Sequence, residues 1–234
     1  MKLICFPYAG GSSAVYAPWR KLFEGSGIEL VTPELAGRGR RMTESTYTDT
    51  QQAVADMLTL VSPHINEGPY ALFGHSMGAM LNLRLLQQMT KAGLKLPVHA
   101  FFSGRKSLQV AREKKLLHDL PAEEFKQEVL KLGGTPKEFF DEPELMELFI
   151  PTLRSDFKLA ELNRYDETIT PFSIPITVMV GETEDLLPAE VDGWKEWSTV
   201  SCQIYRFEGG HFFINNNAAE IVGTIVRSLQ KHLT

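Results

Sequence analysis

Three groups in this sequence carry the chemistry of nucleophilic acyl transfer. They are a serine between glycines in Gly74-His75-Ser76-Met77-Gly78, a histidine behind two glycines in Glu208-Gly209-Gly210-His211, and a carboxylate cluster in Gly181-Glu182-Thr183-Glu184-Asp185. A serine hydroxyl attacks a carbonyl only when an imidazole takes its proton, and the imidazole needs a carboxylate to fix its tautomer and stabilise its charged form. The three groups follow one another in the chain as serine, acid, histidine, one of the several orders in which such triads occur. Ser76 reads as the nucleophile and His211 as the base. Asp185 is preferred as the acid over Glu182 and Glu184, because glutamate carries its carboxylate one methylene farther from the backbone.

Gly-x-Ser-x-Gly has a mechanical basis. A strand that turns sharply into a helix holds its serine in strained backbone geometry, and nothing bulky fits beside it. A glycine-rich turn would produce the same five residues without any chemistry, so the flanks decide. Pro69–Phe73 is a short apolar run with the turn signal Glu67-Gly68-Pro69 before it, and Met77, Met80, Leu81, Leu83, Leu85 and Leu86 continue as an apolar helical surface. At such a turn the Met77 N–H, at a helix N-terminus, faces any oxyanion that develops on a substrate. A second donor belongs to the loop after an early strand, where Pro7-Tyr8-Ala9-Gly10-Gly11 follows Lys2–Phe6; Ala9 is the candidate by position. His75 adjoins the serine in sequence but points elsewhere on a sharp turn.

The elements that must position these groups alternate. Strands are predicted at Lys2–Phe6, Ile28–Thr32, Tyr70–Phe73, Val98–Phe102, Ile174–Val180 and Gln203–Phe207, with helices at Ala14–Phe23, Thr50–Ile65, after Ser76, and Ala218–Leu229. Asp49 or Thr48 caps the second helix. This alternation predicts an α/β fold with a mostly parallel sheet and helices on both faces, with ligands at the carboxyl ends of the strands. From Lys106 to Pro175 it stops. Short helices at Val110–Leu117, Ala122–Leu132, Glu144–Leu153 and Phe157–Leu162, separated by Pro121, Gly133-Gly134, Pro143 and Pro151, read as an inserted helical lid. Its apolar residues, Phe125, Phe139, Phe140 and Phe149 among them, pack a small core of their own or line a substrate channel.

The remaining features exclude more than they add. With 234 residues, 43% hydrophobic and 23% charged, the chain suits one soluble domain spanning residues 1–234. No apolar run approaches the roughly 20 residues of a membrane span, and Met1–Pro7 is too short for a signal-peptide core, so a cytoplasmic location is expected. Twenty-four basic against 29 acidic residues give a net charge of −5, which argues against a nucleic-acid partner. Cys5 and Cys202 lack metal-site spacing, so neither a metal nor a cofactor is expected. Arg38, Arg40 and Arg41, in the loop after the second strand, read as a solvated basic loop.

Taken together, Phe6-Pro7-Tyr8-Ala9-Gly10-Gly11, Gly37-Arg38-Gly39, Gly74-His75-Ser76-Met77-Gly78, Gly181-x-x-x-Asp185 and Gly209-Gly210-His211 resemble the type II (external, discrete) thioesterases that accompany nonribosomal peptide and polyketide synthetases. The resemblance runs from residue 2 to about residue 230. It implies an α/β-hydrolase fold with a lid over 106–175, and hydrolysis of wrongly loaded acyl or aminoacyl groups from the phosphopantetheine arm of acyl- or peptidyl-carrier domains. The enzyme would act as a monomer. By the same resemblance Ser76 is nucleophile, His211 base, Asp185 its orienter, and Met77 and Ala9 the oxyanion donors. Two other readings share these residues or this fold: a carboxylesterase or acyltransferase acting on small esters, and a noncatalytic protein that binds carrier domains.

Overall fold

Successive residues of a strand face opposite sides of a sheet, and the strand sequences here are apolar on both. The computed structural model, which describes residues 1–110, 115–134, 142–163 and 168–233, resolves this as a sheet covered on each face. Its strands are β1 (Lys2–Phe6), β2 (Glu29–Val31), β3 (Tyr70–His75), β4 (His99–Ser103), β5 (Ile176–Gly181) and β6 (Cys202–Phe207), in the order β2-β1-β3-β4-β5-β6. Every pairing is parallel. Ile4, Phe6, Leu72, Phe102 and Val178 face one core, and Leu3, Cys5, Ala71, Phe73, Phe101 and Met179 face the other.

Helices α2 (Thr50–Ile65) and α3 (Met77–Lys91) cover the first face, and α6 (Ala218–Leu229) covers the second. Asp49 caps α2, accepting the Gln52 N–H at 2.8 Å. The predicted helix at Ala14–Phe23 is instead a 3-10 turn, Ser13–Tyr16, followed by the short α1, Trp19–Leu22. Pro18 lies between them and has no N–H to continue a hydrogen-bonded helix.

Between β4 and β5 lie α4 (Ala122–Leu132) and α5 (Pro143–Leu162). The two helices expected on either side of residues 154–156 are one continuous helix of 20 residues with Pro151 inside it. An interior proline costs about 3 kcal/mol or more. Burial of Leu153 in the small core beside α4 and of Leu159 in the core of the first sheet face is worth about 1.5–3 kcal/mol for each side chain, enough together to offset a cost of that size. Phe125, Val129 and Leu153 form a separate small core, against which Ala9, Phe149 and Phe157 pack. The helix expected at Val110–Leu117 lies partly, and Phe139 and Phe140 lie wholly, outside the described residues. Among the described residues no helix is long and apolar enough to cross a membrane, and no group of three or more His, Cys, Asp or Glu side chains could hold a metal ion.

Candidate active site

The chain order reverses at β1, whose neighbours are β2 on one side and β3 on the other. A crevice opens at such a point, beyond the carboxyl ends of the strands. Phe6 is in register with Gly74, so the loop carrying Ala9 and the turn carrying Ser76 leave the sheet side by side. Ser76 sits at φ 55°, ψ −110°, and it is the single non-glycine residue with positive φ among those described. The strain is held by its surroundings. The Ser76 N–H donates to the Ser103 carbonyl at 2.8 Å, and the chain has no room on either side of the turn. A Cβ on Gly74 would stand 2.3 Å from the Gly78 carbonyl, and one on Gly78 would stand 2.3 Å from the Phe6 carbonyl oxygen.

Gly181 of β5 is in register with Phe207 of β6, and the loops beyond them stay joined by backbone hydrogen bonds. The Glu182 N–H donates to Phe207 O (2.8 Å) and the Thr183 N–H to Gly209 O (3.0 Å). At about 4.8 Å per strand, β6 lies about 14 Å from β3, so the histidine loop must lean back across the sheet edge. Gly209, at φ 106°, permits that path. His211 then reaches Ser76, with Nε2 to Oγ at 2.9 Å, while its Nδ1 lies 2.5 Å from Glu184 Oε1. The carboxylate fixes the proton on Nδ1, which leaves the Nε2 lone pair to accept the serine proton.

The carboxylate that meets His211 therefore differs from the sequence-based choice. Asp185 is exposed, whereas the Glu184 side chain is 6% exposed and bonded to His211. Glu184 Oε2 also accepts the Gly181 N–H at 3.1 Å, so the extra methylene that counted against glutamate is what lets the side chain fold back over its own turn toward the imidazole. Met77 is the first residue of α3, where backbone N–H groups have no helical acceptor, and it adjoins the nucleophile. Ala9 lies in a turn closed by a hydrogen bond from the Gly11 N–H to Tyr8 O at 2.9 Å. Of the five sequence-chosen site residues, Ser76 and His211 meet directly, Met77 follows Ser76 at the start of α3 and Ala9 sits in the turn after β1, while Glu184 stands at the imidazole in the place expected of Asp185.

The His75 side chain turns to β4 rather than to Ser76. Its Nδ1 bonds Ser103 Oγ at 2.9 Å, and its ring is packed among Tyr8, Phe212, Phe213 and His211. Burial holds the His75 pKa well below the ordinary histidine range, so it is a neutral neighbour of His211. Burial likewise pushes Arg105, just beyond β4, down to about 10 against the opposing pull of the Glu161 and Glu184 carboxylates.

The basic loop holds the feature that sequence reasoning missed. Arg38 is not solvated: it makes a two-pronged ion pair with Asp156 of α5, at 2.6 and 2.8 Å, with the two side chains 4% and 1% exposed. Gly37-Arg38-Gly39 marks the loop, but nothing in it points to a partner 118 positions away.

The sequence profile of the thioesterase domain matches residues 1–229. The gramicidin S biosynthesis protein GrsT of Aneurinibacillus migulanus is 32% identical over 231 residues, 98% of this chain and 89% of that protein. The crystal structure of ClbQ from the colibactin NRPS/PKS pathway superposes with a TM-score of 0.91 at 32% identity, covering 98% of this chain and 97% of the other. The type II thioesterase BorB from the borrelidin biosynthetic cluster superposes with a TM-score of 0.86 at 29% identity, covering 100% of this chain and 92% of the other. With this profile match running from the first strand to the end of the last long helix, the chain belongs to the thioesterase domain family and has the α/β-hydrolase fold.

Proposed function

We propose that the protein hydrolyses acyl and aminoacyl thioesters on the phosphopantetheine arm of carrier domains, clearing wrongly loaded groups from a nonribosomal peptide or polyketide synthetase. The observation that carries this reading is the 2.9 Å contact of His211 Nε2 with Ser76 Oγ in a chain of the thioesterase family. In the first step Ser76 Oγ bonds to the thioester carbonyl carbon as its proton passes to His211 Nε2. The Met77 and Ala9 N–H groups hold the oxyanion, and Glu184 stabilises the imidazolium. Collapse breaks the carbon–sulfur bond, and the sulfur leaves as pantetheine thiol with the proton from His211. Water then repeats the sequence on the acyl-serine, releasing the carboxylic acid and restoring the hydroxyl. A thiol, with a pKa of about 8.5, leaves with less help from the acid than an alcohol does, which favours thioesters over oxygen esters at this site.

The helices between β4 and β5 fit a lid over this site. A Cβ on Gly134, just after α4, would stand 2.0 Å from Phe212 beside the base, and one on Gly10 would stand 2.7 Å from Leu153 of α5. The insertion is thus seated on both the histidine loop and the oxyanion loop. Action as a monomer in the cytoplasm, where carrier domains present their arms, completes the reading.

The test is mass spectrometry of acyl-loaded carrier domains after exposure to the wild type and to Ser76→Ala. The wild type returns the free-thiol arm and the variant leaves the acyl group in place. Loaded carriers that survive the wild type, together with rapid turnover of simple oxygen esters, would replace this reading with that of a carboxylesterase.

A further inference from the structure

We infer that the Arg38–Asp156 pair is a positioning device of the oxyanion loop: Asp156, carried by α5, holds the Gly10 N–H and with it the turn that presents the Ala9 N–H. The inference rests on the acyl-transfer reading above and adds a residue pair that touches neither substrate nor nucleophile.

The geometry is specific. Asp156 Oδ2 accepts from Arg38 Nη1 at 2.6 Å and from the Gly10 N–H at 2.7 Å, while Oδ1 accepts from Arg38 Nη2 at 2.8 Å. Arg38 Nη1 also donates to Gly11 O at 3.3 Å, and Nε donates to Ala36 O at the same distance. Residues Tyr8–Gly11 form a four-residue turn closed by the Gly11 N–H on Tyr8 O, with Gly10 at φ 75°, the third position of a type II turn. A peptide unit is planar and trans, so fixing the Tyr8 carbonyl into the turn directs the Ala9 N–H to the opposite side. What distinguishes this turn from the commoner type I is the orientation of its central peptide, between Ala9 and Gly10. The Gly10 N–H belongs to that peptide, and Asp156 is its acceptor.

Stability alone is a weak reason for this arrangement. Desolvating two charges offsets much of their attraction, and apolar side chains of similar volume often serve a fold as well. Burial works against the Arg38 charge, and the Asp156 carboxylate more than compensates, leaving the guanidinium pKa above its ordinary value. The charged pair adds what apolar residues cannot: an oxygen aimed at a backbone N–H one residue from the candidate oxyanion donor. Because Asp156 arrives on α5, whose Leu153 and Phe149 also lie against Gly10, the loop is held in this form when α5 is seated. Withdrawal of the helix would release the turn and strand Arg38 without its counter-ion.

The experiment removes the charges first and then varies only the oxygen. In an Arg38→Met background, Asp156→Asn keeps an acceptor for the Gly10 N–H and Asp156→Leu does not. With a short acyl thioester of N-acetylcysteamine as substrate, the Asn variant is expected to keep kcat within about threefold of the wild type. The Leu variant is expected to lose about tenfold or more in kcat with KM changed less than about twofold, since the defect lies in the transition state. Affinity for an alkyl boronic acid, which becomes tetrahedral on Ser76, should fall with kcat. Equal kcat in the two variants, or a loss confined to KM, would overturn the inference. Circular dichroism confirms folding; if the Leu variant does not fold, Asp156→Ser, too short to reach Gly10, takes its place with the same two outcomes. Wild-type turnover of the thioester that disappears in Ser76→Ala tests the underlying reading separately, so the two failures are distinguishable.

Discussion

Replacing Glu184 with glutamine changes one oxygen to an NH2 group at a site whose geometry leaves little slack. The Glu184 carboxylate is 6% exposed and lies 2.5 Å from His211 Nδ1, while its other oxygen takes the Gly181 N–H. In Glu184→Gln either the amide oxygen keeps the Nδ1 proton without the negative charge, or the NH2 faces Nδ1 and drives the proton to Nε2, where it blocks acceptance from Ser76. Loss of the orienting charge and tautomer in a serine triad costs about 10⁴-fold in kcat, or about 5 kcal/mol of barrier. KM should move little, because the carboxylate does not touch the acyl chain. Asp185→Asn, at an exposed position, should leave kcat within about twofold, as surface changes usually do. Thiol release from an acyl-N-acetylcysteamine substrate, followed with a chromogenic disulfide, reads both variants in one assay. An inactive Asp185→Asn beside an active Glu184→Gln would refute the argument and restore the aspartate as the acid.

Gly78→Ala should remove activity by disrupting the turn, since its Cβ would meet the Phe6 carbonyl oxygen at 2.3 Å and neither group is free to retreat; fluorophosphonate labelling of Ser76 should fall with it, and normal labelling would contradict this. His99 predicts a pH-dependent stability. It is stacked on Phe101, bonded through Nε2 to Thr177, and pushed by burial from 6.5 to about 4. Because the unfolded chain binds the proton first, the contribution is complete above pH 6.5, is lost as pH falls toward 4, and totals about 3 kcal/mol. Urea melts of His99→Gln should show a shallower decline than wild type across that window, and parallel curves would exclude His99 as the source.

Local signals carried the sheet and the turn that holds Ser76. Ser76 was legible because the strand, the turn and the helix each imposed its own pattern on consecutive residues, and α4 and α6 were bounded correctly by Pro121, Gly133 and the apolar spacing. The carboxylate that meets His211 was not legible to one residue. Glu184 and Asp185 are adjacent carboxylates on one loop, and the choice depends on how the Gly181 turn curls, which side-chain length alone does not reveal. Continuity of α5 through Pro151 was hidden for a related reason, because local breaker chemistry lost to the packing of Leu153 and Leu159. The burial of Arg38 depends on Asp156, 118 positions away, and nothing near the Gly-Arg-Gly loop announces that partner.

The backbone bonds that join Glu182 to Phe207 and Thr183 to Gly209 divide the machinery into two separately built parts. Imidazole and carboxylate ride on a single stitched block at one end of the sheet, whereas the hydroxyl belongs to the strained turn three strands away. Breathing of the sheet edge will alter the Ser76–His211 gap before it disturbs the His211–Glu184 couple. Substitutions that loosen the strands between β3 and β6 should therefore slow proton transfer from the serine while leaving the base correctly protonated and aligned.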